Sequence, residues 1–284
     1  MLSIIPALSH AFLSDDVGNV INLTKPAERI ISLAPDITEI LFAIGAGSKI
    51  VGVIQGCDYP AGAKKIPIIG AFHGLDLERI IALEPDLIIT WGHTFAHQLA
   101  PFKKMGIPIY VSAPHKLKDI PRRMRAFGEL THLGEEASAQ AKLFEQTLAA
   151  IKKRYSAKSK VRVFYQIGTY TWMTVNKDNW INEVIELCGG ENIFKEAQGV
   201  APNVSIESIL AEDPEVVITD TQKSDWQKAW QPWSALSAVA ANAFFAINAD
   251  LIDRAGPRLL KGAQQMCNAL ESSRHQKEAV KQSR

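Results

Sequence analysis

Hydrophobic and polar positions alternate along the chain in short blocks that predict strands and helices in turn. Apolar residues run together at 29–33, which predicts a buried strand, and the next apolar positions, up to Ile44, fall on one face of a helix. The same reasoning predicts strands at 50–54, 87–90, 107–111 and 161–166 and helices at 77–83, 96–105 and 259–270. Alternation of this kind indicates parallel sheets with helices on both faces.

The first helix carries sequence signals at both ends. Asp36 or Thr38 is a candidate N-cap, because a short side chain with an oxygen atom accepts a hydrogen bond from the first turn. Gly45 and Gly47 are expected to end the helix, since glycine tolerates the left-handed conformation that follows many helix C-termini.

The alternation stops at 120–155, where helix-forming residues dominate and Gly134 interrupts them. Between 135 and 155 an apolar stripe is predicted, and a helix of about 20 residues would be about 30 Å long. Its expected members are Ala139, Leu143, Thr147, Leu148 and Ile151. A rod of this length between two α/β halves would act as a stiff spacer.

The pattern therefore predicts an α/β protein of two Rossmann-like lobes with parallel sheets, joined by one long α-helix, with a ligand cleft between the lobes. The lobes are expected at 12–119 and 159–270, with a helical linker at 120–158 and a polar, disordered tail at 271–284. Residues 1–11 end in Ser-His-Ala and suggest a truncated signal peptide, with an ordinary frayed terminus as the alternative. Export would make the protein periplasmic.

The two predicted lobes contain an internal repeat. Residues 76–90 read DLERIIALEPDLIIT and residues 205–219 read SIESILAEDPEVVIT, with six of fifteen positions identical. A weaker pair joins ITEIL at 37–41, leading to Gly45, with INEVI at 181–185, leading to Gly189. The acid-proline turn at a fixed place favours a true duplication over a chance likeness of two helix–strand units.

Glu78 and Glu207 occupy equivalent positions in the repeat, near the start of each predicted helix. A carboxylate there stabilises the helix through its dipole by about 0.3–1 kcal/mol. Each acid could also form a salt bridge with a basic residue of a symmetric partner, one from each lobe. The repeat alone leaves both roles open.

Composition narrows the function classes. The chain has 31 Lys plus Arg against 30 Asp plus Glu, so neither nucleic acid nor an anionic membrane is expected as the main partner. No phosphate-binding loop, dinucleotide fingerprint, nucleophile elbow or HExxH motif occurs, so we expect a protein that is not an enzyme and has no catalytic cofactor. His93 and His97 are spaced to share a helix face, but no third ligand follows at an obvious spacing, so no metal site is predicted.

Four segments carry a resemblance to a known family. RIISLAPDITEILFAIGAGSKIVGV, GLDLERIIALEPDLIIT, LCGGENIF and RAGPRLLKGAQQMCNAL resemble the cobalamin-binding proteins of bacterial ABC importers, over about residues 27–270. That family is a group of periplasmic binding proteins with one long interdomain helix, alongside haem- and siderophore-binding relatives. The resemblance implies a monomer that carries a corrinoid such as cobalamin to an ABC permease dimer in the inner membrane.

The resemblance also implies roles for particular residues. Cys188 and Cys267 match the family's disulfide, and Glu78 and Glu207 match the acids that bind arginines of the permease dimer. The family's ligand contacts correspond to Pro35, Phe72, Trp91, Trp172, Asp250 and Arg254. Aromatic walls suit a large flat macrocycle, and a few polar groups would orient its amide fringe.

The chain departs from the family pattern at two aromatic positions. Gly56 and Ala201 stand where a tyrosine and a tryptophan are found, and Tyr170 is expected to compensate together with Trp172. His73 is a candidate contact to haem or cobalt, although a lone histidine is more often a hydrogen-bonding loop residue. Haem or a ferric siderophore is therefore the alternative ligand, and an α/β enzyme is the alternative class.

Overall fold

A computed structural model describes residues 13–155, 157–169, 171–221, 223 and 225–282. The expected signal remnant at 1–11 and Tyr170 lie outside these described residues. The chain divides into two compact units, Met1–Pro114 with Ile120–Lys142 and His115–Asp119 with Leu143–Arg284. Most of the residues that the sequence assigns to a linker, 120–142, therefore pack within the first unit.

The first unit is built on a parallel sheet. In chain order its strands are β1 (Leu13–Ser14), β2 (Val20–Ile21), β3 (Ile30–Leu33), β4 (Ile50–Val53), β5 (Gly70–Ala71), β6 (Gly74–Leu75), β7 (Leu87–Trp91) and β8 (Ile109–Ser112). Its helices are α1 (Pro35–Ala43), α2 (Leu77–Ala82), α3 (Ala96–Lys104) and α4 (Asp119–Thr131). The main sheet has the order β4-β3-β7-β8, and β1-β2 and β5-β6 are small antiparallel hairpins. A long helix, α5 (Gly134–Tyr155), contains the division between the units.

The second unit repeats this arrangement. Its strands are β9 (Val161–Gln166), β10 (Gly190–Asn192), β11 (Val216–Thr219) and β12 (Phe244–Ala246), in the parallel order β10-β9-β11-β12. Its helices are α6 (Trp180–Leu187), α7 (Ile206–Glu212), α8 (Ser237–Ala240), α9 (Ala249–Ile252) and α10 (Leu259–Gln282). Strand order by chain position is the same in both sheets, which confirms the prediction of two Rossmann-like α/β lobes.

The sequence repeat is also a repeat of hydrogen bonds. The backbone N–H of Arg29, just before β3, donates to the carboxylate of Asp86 at 2.9 Å, and that of Arg162 in β9 donates to Glu215 at 3.2 Å. The acids occupy matching positions of the two repeat segments. An acid after the helix thus fixes the register of the neighbouring strand in both units.

The acid-proline turns repeat as well. Glu84 and Asp213, which precede the prolines, both adopt a left-handed backbone, with φ of 45° and 40°. The guanidinium of Arg29 donates to the carbonyl of Leu83, and that of Arg162 donates to the carbonyl of Glu212, the matching residue. These bonds satisfy carbonyls that the helix end leaves without an intrahelical partner. The repeat is therefore structural down to individual side chains.

The predicted N-cap of α1 is wrong, but its predicted end is confirmed, because Gly45 follows the C-cap residue with φ of 88°. Its N-cap is Ala34, which makes no side-chain hydrogen bond. Asp36 instead accepts a bond from Arg123 at 2.7 Å, and the hydroxyl of Thr38 lies 2.7 Å from that of Ser32. Both side chains are buried, so they satisfy groups in the core rather than the helix terminus.

The apolar stripe of α5 shares Ile151 with the predicted stripe but otherwise lies on different buried residues. Its buried positions are Ala137, Ala141, Phe144, Ile151 and Tyr155, whereas Ala139 is exposed and Leu143 is 56% exposed. Steps of four residues drift about 40° around a helix, so a stripe built on 139, 143 and 147 leaves the buried face, while alternating steps of four and three stay on it. The helical stretch is interrupted at His132, which has φ of 59°, and not at Gly134 as predicted. Gly134 is the first residue of α5.

The prediction of a disordered tail is wrong for the described residues, because α10 continues to Gln282. Arg274 is 7% exposed and donates to the carbonyl oxygens of Ser159, Cys188 and Gly189 at 2.9–3.1 Å. Those carbonyls include the C-terminal end of α6, which needs donors from elsewhere. A polar residue can thus order a segment that composition alone assigns to solvent.

The disulfide implied by the family resemblance is confirmed. Cys188, at the C-terminus of α6, is bonded to Cys267 in α10, with a Cα–Cα distance of 4.6 Å. Cys57 is buried and lies outside this disulfide. Among the described helices, none combines the length and apolar character needed to cross a membrane.

Candidate functional site

In the first unit, the expected ligand residues lie at the carboxyl ends of the parallel strands. Pro35 begins α1 directly after β3, and Trp91 is the last residue of β7. Phe72 and His73 form the tip of the β5–β6 hairpin, in the connection that leaves the carboxyl end of β4. Because parallel strands end at the same edge of a sheet, all four residues belong to that edge, where α/β folds bind ligands.

Two aromatic side chains at this edge are open to solvent. Phe72 is 70% exposed and Trp91 is 40% exposed, while the apolar residues just before Trp91 in β7 are fully buried. Exposed aromatic side chains of this size indicate an interaction surface when they lie together. The hairpin that presents Phe72 requires glycine at Gly70, because a Cβ there would lie 2.4 Å from the carbonyl oxygen of Gly74.

A buried ion pair lies at the same edge of the sheet. The guanidinium of Arg123, in α4, is fully buried and donates to Asp36 and to the hydroxyl of Ser112, both at 2.7 Å. Asp36 follows Pro35, and Ser112 ends β8. One side chain therefore joins the ends of two strands that border the candidate site.

In the second unit, the expected residues also follow strand ends. Trp172 lies in the loop after β9, and Asp250 and Arg254 follow β12, in and just after α9. Arg254 donates to Asp250 at 2.6 Å, and the Asp250 side chain remains 49% exposed. The pair presents a carboxylate whose outer oxygen is free to meet solvent or a ligand.

The loop between β9 and Trp172 is held by the buried amide of Gln166. Its nitrogen donates to the carbonyls of Thr169 and Thr171 at 3.1 and 3.2 Å, and its oxygen accepts from the indole of Trp230 at 3.0 Å. Trp230 is fully buried and contacts Trp172 edge to face, with ring centroids 5.0 Å apart. A single network therefore positions both the loop backbone and the half-buried ring of Trp172.

The end of β11 ties the same loop from the other side. The carboxylate of Asp220 accepts from the backbone N–H of Gly168 at 2.8 Å, and the hydroxyl of Thr219 donates to the Gly168 carbonyl at 3.1 Å. The backbone N–H and C=O of Gly168 are thus both hydrogen-bonded, by two residues that are adjacent in sequence. Hydrogen bonds from β9 and from the end of β11 therefore hold the backbone of this loop.

Sequence reasoning missed a cluster of Tyr165, Asp220 and Asp253 at this edge. The hydroxyl of Tyr165 lies 3.5 Å from a carboxylate oxygen of Asp253. Although part of Asp253 is exposed, burial of its carboxyl group and the nearby charge of Asp220 raise its pKa to about 7. Burial also raises the pKa of Asp220. The available signal was positional, because Asp220 directly follows a buried strand.

The duplicated acids occupy matching places in the two units. Glu78 and Glu207 are each the second residue of their helix, and both are exposed. The preceding caps are also duplicated, since Asp76 accepts from the third residue after it and Ser205 does the same. The backbone N–H of Glu207 itself, and then the Ser205 hydroxyl, lower the pKa of Glu207. Both α2 and α7 lead into a central strand, so each acid lies at the carboxyl-end side of its sheet.

No group of three or more His, Cys, Asp or Glu side chains suited to a metal ion occurs among the described residues. His93 precedes α3 and His97 lies within it. The candidate ligand-binding groups of the described residues are therefore exposed aromatic side chains and a few polar side chains.

Known proteins resemble this chain over most of its length. The family model described as periplasmic binding protein matches residues 30–251. The vitamin B12-binding protein of Vibrio parahaemolyticus is 37% identical over 250 residues, covering 87% of this chain and 91% of the relative. That of Yersinia pestis is 35% identical over 257 residues, covering 88% and 90%.

Solved structures agree in fold. The periplasmic vitamin B12 binding protein of Vibrio cholerae superposes with a TM-score of 0.78 and 35% identity, covering 88% of this chain and 98% of that one. A periplasmic heme-binding protein from Roseiflexus gives 0.73 at 24% identity, covering 87% and 99%, which supports the fold alone. The chain belongs to the periplasmic binding protein family, in the branch whose curated members are named vitamin B12-binding proteins.

Proposed function

We propose that this chain is an extracytoplasmic solute-binding protein that captures cobalamin or a related corrinoid and delivers it to an ABC permease. The observation that carries the proposal is the likeness to vitamin B12-binding proteins across nine-tenths of their length. The exposed aromatic residues at the carboxyl edge of the first unit support it, because a corrin ring needs flat apolar walls.

In this proposal the ligand contacts come from the residues at the carboxyl ends of the strands. Phe72, Trp91 and Trp172 would pack against the macrocycle, with Pro35 and Tyr170 as further contacts. The Asp250–Arg254 pair would hydrogen-bond the amide fringe, and His73 would approach the ring from the tip of its hairpin. These assignments rest on position at strand ends and on the family pattern.

We further propose that the protein acts in the periplasm as a monomer. It would bind its ligand without catalysing any reaction on it. Glu78 and Glu207 would bind basic residues of the permease dimer, one acid to each half. Their exposure and duplicated placement support this role, since a two-fold partner needs two equivalent contacts.

Calorimetric titration of cyanocobalamin into the purified protein tests the ligand. We expect saturable binding with one corrinoid per chain, and weakening of about tenfold or more in Phe72→Ala, because a large aromatic contact is lost. Met105→Ala is the matched control. Met105 is also a large exposed apolar residue, with 58% of its surface exposed, but it lies at the end of α3, away from the residues proposed to bind the ligand.

The alternative ligand is haem, because a heme-binding protein shares this fold. Haem bound to the purified protein would give a Soret band, whereas a corrinoid absorbs at longer wavelengths. A Soret band together with the absence of heat on adding cyanocobalamin at micromolar protein would overturn the corrinoid assignment and favour haem.

A further inference from the structure

The internal repeat allows the two units to be compared at the end of one central strand. Leu33 ends β3 and pairs with Thr90. Gln166 ends β9 and pairs with Thr219, which matches Thr90 in the repeat. Leu33 is 1% exposed and Gln166 is fully buried. The fold accepts an apolar side chain at this position, and burying an amide is costly unless it is hydrogen-bonded, so Gln166 has a purpose other than packing.

The connection that follows the strand also differs between the units. In the first unit, Ala34 alone separates β3 from α1. In the second unit, residues 167–179 lie between β9 and α6, the helix whose sequence matches α1 in the repeat. Connections of this length are uncommon in compact domains and are usually functional. Trp172, a proposed ligand contact, lies in this one, so the buried amide accompanies the enlarged loop.

A neighbouring donor fixes the orientation of the Gln166 amide. An indole N–H can only donate, so the amide oxygen faces Trp230, at 3.0 Å. The amide nitrogen therefore faces the loop, where its two hydrogens are donated to the carbonyls of Thr169 and Thr171. The Trp230 ring that sets this orientation also contacts the ring of Trp172. The loop backbone and the aromatic side chain thus depend on the same two buried residues.

We infer that Gln166 is a positioning residue for ligand binding, which holds the loop after β9 so that Trp172 is presented to the ligand. Because Gln166 is fully buried, it acts through the loop and does not touch the ligand. The inference rests on the proposed function, in which Trp172 contacts the corrinoid. A loop that is not held must be ordered when the ligand binds, and ordering the backbone of a single residue weakens binding about tenfold.

Gln166→Met tests the inference, because methionine has a similar length but makes none of the three hydrogen bonds. Amide hydrogen exchange of the unliganded protein, followed by NMR, measures the loop, and calorimetric titration of cyanocobalamin measures the affinity. We expect faster exchange at Ile167 and Gly168, whose N–H groups are hydrogen-bonded in the wild type. We also expect binding to be about tenfold weaker, since the ligand must then order the loop.

Asn192→Leu is the matched control in the same unit. Asn192 is also a buried amide with three hydrogen bonds, since it donates to Val175 and Asn182 and accepts from the N–H of Phe194. Its replacement should lower the free energy of unfolding, as Gln166→Met does. Exchange at Gly168 and the affinity for cyanocobalamin should stay within about twofold of wild type, because the loop keeps its bonds.

Trp230→Phe is a second test that acts through the same amide. Phenylalanine keeps an aromatic ring at this position but has no N–H to fix the amide of Gln166. We expect faster loop exchange and weaker binding, in the same direction as for Gln166→Met. If Gln166→Met does not fold, Trp230→Phe and the control make the comparison.

The outcomes separate the inference from the proposed function. Wild-type affinity in Gln166→Met and Trp230→Phe, unchanged exchange at Gly168, or equal weakening by Gln166→Met and Asn192→Leu would overturn the inference alone. A wild-type protein that does not bind cyanocobalamin would overturn the proposed function, and the inference with it.

Discussion

At the scale of residues, the second unit uses buried polar side chains to hold the loop that follows β9. Gln166 makes three hydrogen bonds, and Thr219 and Asp220 between them satisfy both polar groups of Gly168. Partly satisfied networks are costly in a protein interior, whereas satisfied ones rigidify it. A loop that is already held by hydrogen bonds loses less entropy when a ligand binds, which suits the proposed binding function.

The acid pair at this edge should make stability depend on pH. The pKa of Asp253 is raised to about 7 from an ordinary value of 3.8, mainly by burial and then by the charge of Asp220. The folded protein therefore binds this proton more tightly than the unfolded chain, so its contribution to stability is present at low pH and is lost as pH rises from about 4 to 7.

Thermal unfolding of wild type and Asp253→Asn between pH 4 and 8 measures this dependence. We expect the melting temperature of the variant, relative to wild type, to rise as pH increases through that window, because the variant has no charge to desolvate. Asp178→Asn, which removes an exposed acid of the same unit, serves as the control. Parallel curves for wild type and Asp253→Asn would contradict the raised pKa.

At the scale of elements, periodicity predicted the strands and helices well and their fine contacts poorly. Each central strand was predicted to within about two residues, because a buried parallel strand is apolar on both faces. The α1 N-cap and the tail were wrong, since each depends on a partner distant in sequence. Most of the α5 stripe was wrong because it followed steps of four residues, which drift off the buried face. Arg123 pairs with Asp36 across 87 residues, and Arg274 reaches carbonyls more than 80 residues away.

The C-terminal helix supplies a second prediction. Arg274 donates to three carbonyls, so Arg274→Ala should lower the free energy of unfolding by about 2–3 kcal/mol, the effect of losing buried hydrogen bonds from a charged group. His275→Ala, one residue further along and exposed, should change it by less than about 0.5 kcal/mol. Urea unfolding under oxidising conditions makes the comparison, and equal effects of the two variants would contradict the role given to Arg274.

At the scale of the whole molecule, the duplication was the most informative sequence feature. It predicted two similar lobes, and the two sheets do have the same strand order, with the hydrogen bonds of Arg29 and Arg162 repeated as well. The site was predicted only as far as strand ends and family pattern allow. Asp220 and Asp253 escaped notice, because burial and proximity of two acids far apart in sequence cannot be read from composition or spacing.

The central claim is that this chain binds one corrinoid. A crystal structure of the protein with cyanocobalamin tests it most directly, because the anomalous signal of cobalt marks the ring independently of the protein phases. We predict a single cobalt position, with the corrin ring in contact with the aromatic residues assigned to the ligand, Phe72, Trp91 and Trp172. A structure without bound cobalt, or a cobalt position that contacts none of these residues, would contradict the account.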